Sequence, residues 1–280
     1  MPDTLARSER AAYAGRVQTF GRTFVALAFL MGVAPEARAE GTEKWHGPFG
    51  GTFNANVTVM SDYSQSGISN TALQPAFQLG LDYRTPNLTS ALPLWLYLTG
   101  MGVNVALPTG RSLEVDVAAG VKFKPTEKWR IDLGYIRETY PGTPAELGYD
   151  HGDFHFAMDY DFGLANLNAR LRYSPNAFAN SGATINKRGM LTVPLPFMPF
   201  ADTVSFSGYG SLGNIWVDRY QAVGLPRNDY WYWQFGLVTS SAAYGLDLTI
   251  AYTDTNISAE DCGYSGICAG RLFVSLTKRF

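Results

Sequence analysis

The sequence predicts an all-β fold: a transmembrane, antiparallel, up-and-down β-barrel of about twelve strands. Three observations lead there. Segment after segment alternates apolar and polar residues with a period of two. A leader of the kind that directs export precedes them. The last alternating segment ends in an aromatic residue, Phe280.

The alternation is clearest in three places. In 112–123, Leu113, Val115, Val117, Val121 and Phe123 alternate with Glu114, Asp116, Ala118, Gly120 and Lys122. In 164–173, Leu167, Ala169, Leu171 and Tyr173 alternate with Asn166, Asn168, Arg170 and Arg172. In 243–254, Leu246, Leu248, Ile250 and Tyr252 oppose Asp247, Thr249, Ala251 and Thr253. Successive strand side chains point to opposite faces, so each segment reads as a strand with one apolar face. Twelve such segments are expected, at 51–63, 74–84, 94–107, 112–123, 128–139, 152–161, 164–173, 185–194, 202–215, 229–239, 243–254 and 269–280. Most run to ten residues or more, against about 5–6 in globular sheets. Their polar faces are rich in glycine and small residues, as a crowded lumen favours.

The links fit an even strand count. In bacterial barrels both termini face the periplasm, with short turns on that side and long loops outside. The links after even-numbered strands are 85–93, 124–127, 162–163, 195–201 and 240–242, several of them tight. Those after odd-numbered strands are 64–73, 140–151, 174–184, 216–228 and 255–268, which are long, and 108–111, which is short. Aromatics near strand ends are expected to form interfacial girdles on the apolar face: Trp95 and Tyr97, Trp129 and Tyr135, Phe154 and Tyr160, Trp231 and Trp233, Tyr244 and Tyr252.

Residues 24–34 form an apolar run too short to span a bilayer as a helix, which needs about 20 residues. Arg7, Arg10, Arg16 and Arg22 precede it, and Ala37-Arg38-Ala39 follows as a small-x-small cleavage pattern. Residues 1–39 are therefore expected to be a cleaved signal peptide and 40–280 one barrel domain. The chain carries a formal charge of −2, and the leader is its basic part. No basic footprint argues for nucleic acid. The expected location is the bacterial outer membrane, with membrane lipid as the surroundings. The barrel-assembly machinery is the expected partner during insertion, reading Phe280. Lys278 stands where that signal usually has an apolar residue.

Cys262 and Cys268 are the only cysteines and flank a short loop segment. Export ends in an oxidising compartment, so they are expected to form a disulfide. Three histidines, His46, His151 and His155, are the candidate bases, and no spacing supplies a matching nucleophile. No phosphate-binding glycine loop or zinc motif is present, so no catalytic residue, metal or cofactor is assigned.

Asp82, Glu114, Asp116, Lys122, Arg130, Asp132, Asp159, Arg170, Arg172 and Asp247 fall on polar faces and are expected to point into the lumen. Arg or Lys facing lipid near the midplane costs about 2–4 kcal/mol, so inward placement is forced. These charges either line a water-filled path or pair across a narrow lumen and fill it. Twelve strands lie between side-chain-filled barrels of about eight and open porins of about 16–18, so a narrow, partly filled pore is expected.

Several segments resemble the TorF porin family. They are Ser61-Asp62-Tyr63, Gly67-Ile68-Ser69, Gln74-Pro75-Ala76 and Gly80-Leu81-Asp82-Tyr83 in the first hairpin, with Ser66 where an arginine is common. Further on come Asp132-Leu133-Gly134-Tyr135, Thr139-Tyr140-Pro141-Gly142, Tyr160-Asp161-Phe162-Gly163, Tyr173-Ser174-Pro175 and the closing segment from Leu246 to Phe280. The resemblance implies an outer-membrane barrel and names no ligand. The expected function is passive conduction of small solutes or ions. A non-conducting barrel that binds a partner through its outer loops is the alternative, and an outer-membrane enzyme the third possibility.

The oxidised protein is expected to resist thiol alkylation until reductant is added. Prompt alkylation of Cys262 and Cys268 without reductant would rule out the bridge.

Overall fold

The computed structural model describes residues 45–195 and 204–280. The expected leader, 1–39, lies outside the described residues, as does most of the 195–201 link.

Among the described residues twelve long antiparallel strands build the wall: β1 (Thr52–Met60), β2 (Ala76–Arg84), β3 (Leu94–Leu107), β4 (Gly110–Thr126), β5 (Trp129–Thr139), β6 (His151–Asp161), β7 (Asn166–Ser174), β8 (Thr184–Pro194), β9 (Val204–Val217), β10 (Asp229–Ser241), β11 (Leu246–Thr255) and β12 (Arg271–Arg279). Each expected segment is found. Each strand pairs with its neighbours in the chain. β12 then returns to β1, with Ser275 opposite Met60 and Arg279 opposite Asn56. The sheet is closed on itself, and a short strand at Trp45–His46 pairs with the start of β1 beyond the β12 ladder. Closure is the condition for crossing hydrocarbon with strands.

The two faces separate as the alternation requires. Val59, Leu79, Leu96, Val117, Leu237 and Ile250 point outward and are each 48–53 % exposed. Exposed apolar residues repeated on strand after strand are rare on proteins surrounded by water, and they mark a lipid-facing wall. Paired rings decorate it: Trp129 with Tyr160 (4.6 Å between centroids), Tyr135 with Phe154 (5.3 Å) and Phe235 with Tyr252 (5.3 Å).

One girdle pair is corrected. Trp95 and Tyr97 face the lumen and are buried, while Leu94, Leu96 and Leu98 face out. Both faces of β3 are apolar here, so alternation alone does not choose between them. The register with β4 does, placing Trp95 opposite Lys122 and Tyr97 opposite Gly120. Space decides the same way. A Cβ on Gly120 would lie 2.6 Å from the Tyr97 hydroxyl, and one on Gly134 2.5 Å from it. The two glycines on the lumen faces of β4 and β5 are the room into which Tyr97 fits.

The links make two unequal rims. Segments 61–75, 140–150, 175–183, 218–228 and 256–270 crowd one rim, and 127–128, 162–165 and 242–245 turn tightly at the other. The apolar core sits at the long-link rim rather than at mid-barrel. There Tyr149 stacks on the fully buried Phe178 at 4.2 Å, and Tyr140 meets Phe178 edge-on.

Gly134→Ala is expected to lower the urea midpoint of the refolded barrel, at a cost of about 1–3 kcal/mol for overpacking. Gly189→Ala is the control, since a Cβ there meets nothing within 4 Å. Equal midpoints for the two variants would count against the close fit of Tyr97.

Candidate functional site

All ten charged residues expected in the lumen lie on inward-facing positions of β2, β4, β5, β6, β7 and β11. The structure brings most of them together in the half of the lumen towards the short-link rim. Lys122 Nζ lies 3.7 Å from Asp132 Oδ2, and His155 Nε2 lies 3.1 Å from Asp132 Oδ1. The Tyr97 hydroxyl donates to the same carboxylate at 2.9 Å. Arg130 Nε donates to Asp159 Oδ2 (3.0 Å), and Asn168 Nδ2 donates to Asp159 Oδ1 (2.9 Å). His155 thus pairs with Asp132 rather than with Asp159 two pleats along its own strand. Asp247 stands apart, bonded to Arg279 at 2.7 Å, and Asp82 sits opposite Thr99 and Asn54. A cavity of about 60 Å³ lies among Lys122, Arg130, Asp132, His155, Asp159 and Arg170.

A second cluster is fully buried. Arg172 is paired with both Glu138 and Asp153. His151 Nε2 lies 3.3 Å from Glu138 Oε2, and His151 Nδ1 donates to the Tyr149 carbonyl at 2.9 Å. That carbonyl only accepts, so the Nδ1 of His151 carries its proton. Ligand atoms of Glu138, His151 and Asp153 lie within 4.8 Å of one another. The Arg172 guanidinium already supplies the positive charge between the two carboxylates, so the cluster reads as an ion-pair network. Asp116 lies opposite Glu138 in the ladder, next to this network.

Above these charges the link between β1 and β2 folds into the lumen. Residues 62–71 turn inward and are buried throughout, with Gln65 completely so. Arg271, at the start of β12, holds the loop. Its Nε donates to Asp62 Oδ2 (2.7 Å), and its terminal nitrogens donate to Ser64 Oγ (3.0 Å) and the carbonyls of Gly67 and Ile267 (3.1 Å each). Glu114 receives the loop from the opposite wall. The Tyr63 hydroxyl donates to Oε1 at 2.8 Å and the Tyr140 hydroxyl to Oε2 at 2.9 Å. Burial holds both phenols well above their ordinary range, so they stay neutral donors. Asn186 Nδ2 on β8 donates to Ser66 Oγ at 3.0 Å. Gly67 is required at the tip. Its φ is +81°, and a Cβ there would lie 2.9 Å from the Asp254 carbonyl oxygen.

The bridge between Cys262 and Cys268 is formed, with an S–S distance of 2.06 Å. It fixes the segment whose Ile267 carbonyl accepts both Arg271 and the Ser69 amide. Lys278 lies over the ring of Phe280 at 5.4 Å, and the Phe280 amide donates to the Ala55 carbonyl (2.9 Å).

Sequence reasoning missed Glu138, Asp153 and Arg188 on the lumen walls, although the parity of Arg130, His155 and Met190 marks each of their positions. It also missed the inward loop. The signal available was its run of small hydrogen-bonding residues between Asp62 and Thr71.

Arg172→Met leaves Glu138 and Asp153 buried without their cation. It is expected to cost about 3–5 kcal/mol, read as a lowered urea midpoint of the refolded barrel. A midpoint within error of the parent protein would overturn the network as drawn.

Among solved structures, the chain is similar to the KdgM porin, at 9 % identity and a TM-score of 0.49, covering 81 % of this chain and 99 % of that one. It is similar to the NanC porin at 12 % identity and a TM-score of 0.45, covering 80 % and 97 %. LpxR from Salmonella typhimurium gives 8 % identity and a TM-score of 0.45, covering 81 % and 99 %. Likeness this remote bears on no function. No curated protein matches the sequence. The family model described as a bacterial protein of unknown function, Gcw_chp, matches residues 44–280, and the chain belongs to that family.

Proposed function

We propose that the protein is an outer-membrane channel of porin type, whose lumen is held closed at the outer end by its own first loop. In this reading residues 1–39 are a cleaved leader, and Phe280 serves the barrel-assembly machinery. The long-link rim faces outward and the short-link rim faces the periplasm. The resemblance of the first hairpin and the closing segment to the TorF porin family supports the same assignment. No enzymatic role is proposed.

The observation that carries the proposal is the division of the lumen into two storeys. The lower storey is a cavity among paired charges. The upper storey is a chain segment held by hydrogen bonds and ion pairs to Arg271, Glu114 and Asn186. Such bonds exchange for bonds to water at a net cost of about 0.5–3 kcal/mol each. Withdrawal of the loop also breaks the bond from the Ala106 amide to the Asn70 carbonyl and exposes Ile68, but it leaves the strand-to-strand ladders in place. The path it uncovers is lined by Glu114, Asp116, Lys122, Arg130, Asp132, Asp159, Arg170 and Arg172, with Asp82 and Asp247 along the same wall. The full burial of Gln65, Glu114 and Glu138 favours a second reading, a barrel that never conducts and meets a partner through its outer loops.

Planar-bilayer recording of refolded protein separates the two. The parent protein is expected to give small or infrequent current steps. Gly67→Val, or replacement of 64–71 by a short Gly-Ser link, is expected to give larger and longer-lived steps. Stable insertion of all three proteins without current would exclude the channel.

A further inference from the structure

The lumen faces of β7 and β8 carry three arginines. The register sets Arg170 directly opposite Arg188, and Arg172 opposite Asn186 one pleat further on. Like charges opposite each other across a ladder are destabilising, the more so away from bulk water. Arg172 is compensated by Glu138 and Asp153. Arg188 is not. Its Nε and one terminal nitrogen, Nη2, are buried without a hydrogen-bond partner among the described residues. On its other side the ladder offers Gly213, which brings no side chain, and the Tyr232 ring occupies the space a Cβ would take there.

The two unsatisfied nitrogens are the ones that lie along one edge of the guanidinium. That edge forms the two-pronged donor that matches a carboxylate or a phosphate. Arg170, its neighbour across the ladder, borders the lumen cavity. The lining there holds four basic side chains, Lys122, Arg130, Arg170 and Arg172, against two acidic ones, Asp132 and Asp159.

We infer that Arg188, with Arg170 opposite it, forms an oxyanion-binding site inside the barrel, which takes the carboxylate or phosphate group of a small solute. An anion between the two guanidinium groups removes the like-charge penalty and satisfies the buried N–H groups in one step. The inference rests on the channel reading only for its biological use, because binding is measured without current. A barrel that never conducts can still bind, and a conducting barrel can fail to.

The test is thermal unfolding of the refolded protein in detergent, at constant ionic strength, with sodium phosphate or sodium acetate replacing sodium chloride. The parent protein is expected to gain melting temperature in at least one of the two oxyanions. Their ranking tells phosphate from carboxylate. Arg188→Gln is expected to abolish the gain, and Arg188→Lys to lose most of it, since the charge remains but the fork does not. Lys187→Gln, next in the chain but on the outer face, is expected to keep it. Where Arg188→Gln does not refold, Arg170→Gln carries the same expectation. An equal gain in Arg188→Gln and the parent protein, or no gain in the parent protein with either oxyanion, overturns the site.

Discussion

Everything in this molecule follows from the requirement that backbone N–H and C=O groups crossing hydrocarbon find partners within the sheet. The twelve strands meet it by closing β12 on β1. Closure then fixes parity. A slip of one residue in any ladder would turn a row of leucines inward and a row of charges into lipid. The ladder from Trp95 through Lys122 to Asp132 illustrates how tightly the choice is held. Each member is placed by its neighbour, including the aromatic residue whose own strand is apolar on both faces.

Parity sends the charges inward, and the lumen must then compensate them. Much of this is local. Lys122 with Asp132 and Arg130 with Asp159 are pairs between adjacent or nearby strands. What adjacent strands do not fill, the β1–β2 loop does. Its residues suit the wall it meets: hydroxyl and amide groups face Glu114, Asn186 and Arg271, while Ile68 and the Tyr63 ring pack into the apolar cluster. The apolar residues that a soluble protein would gather at its centre are displaced to the long-link rim around Phe178.

How much of this can be read from the chain depends on where the physics is local. β4, β7 and β11 alternate so cleanly that their faces need no structure to assign. The even strand count follows from the rhythm of short and long links. The disulfide between Cys262 and Cys268 is legible because the sequence has no other cysteine for either to pair with. β3 was illegible on its own, because Leu94, Leu96 and Leu98 alternate with the large rings of Trp95 and Tyr97, and it takes the register with β4 and the glycines of two neighbouring strands to choose the inward face. The inward loop was hidden for a different reason. A short stretch of serine, glycine, asparagine and threonine has the composition of a solvated link. Its burial depends on partners such as Glu114 and Arg271, which are remote in sequence. The same stretch carries part of the family-like pattern of the first hairpin, so it was visible as a motif while its placement was not.

The pairing of Asp62 with Arg271 ties the inward loop to the closure of the sheet. Asp62 follows β1 and Arg271 opens β12, so this ion pair spans the seam where the sheet closes. The side chain that fastens the loop therefore also clasps the first and last strands at their shared end, so the hold on the loop and the closure of the wall depend on one residue.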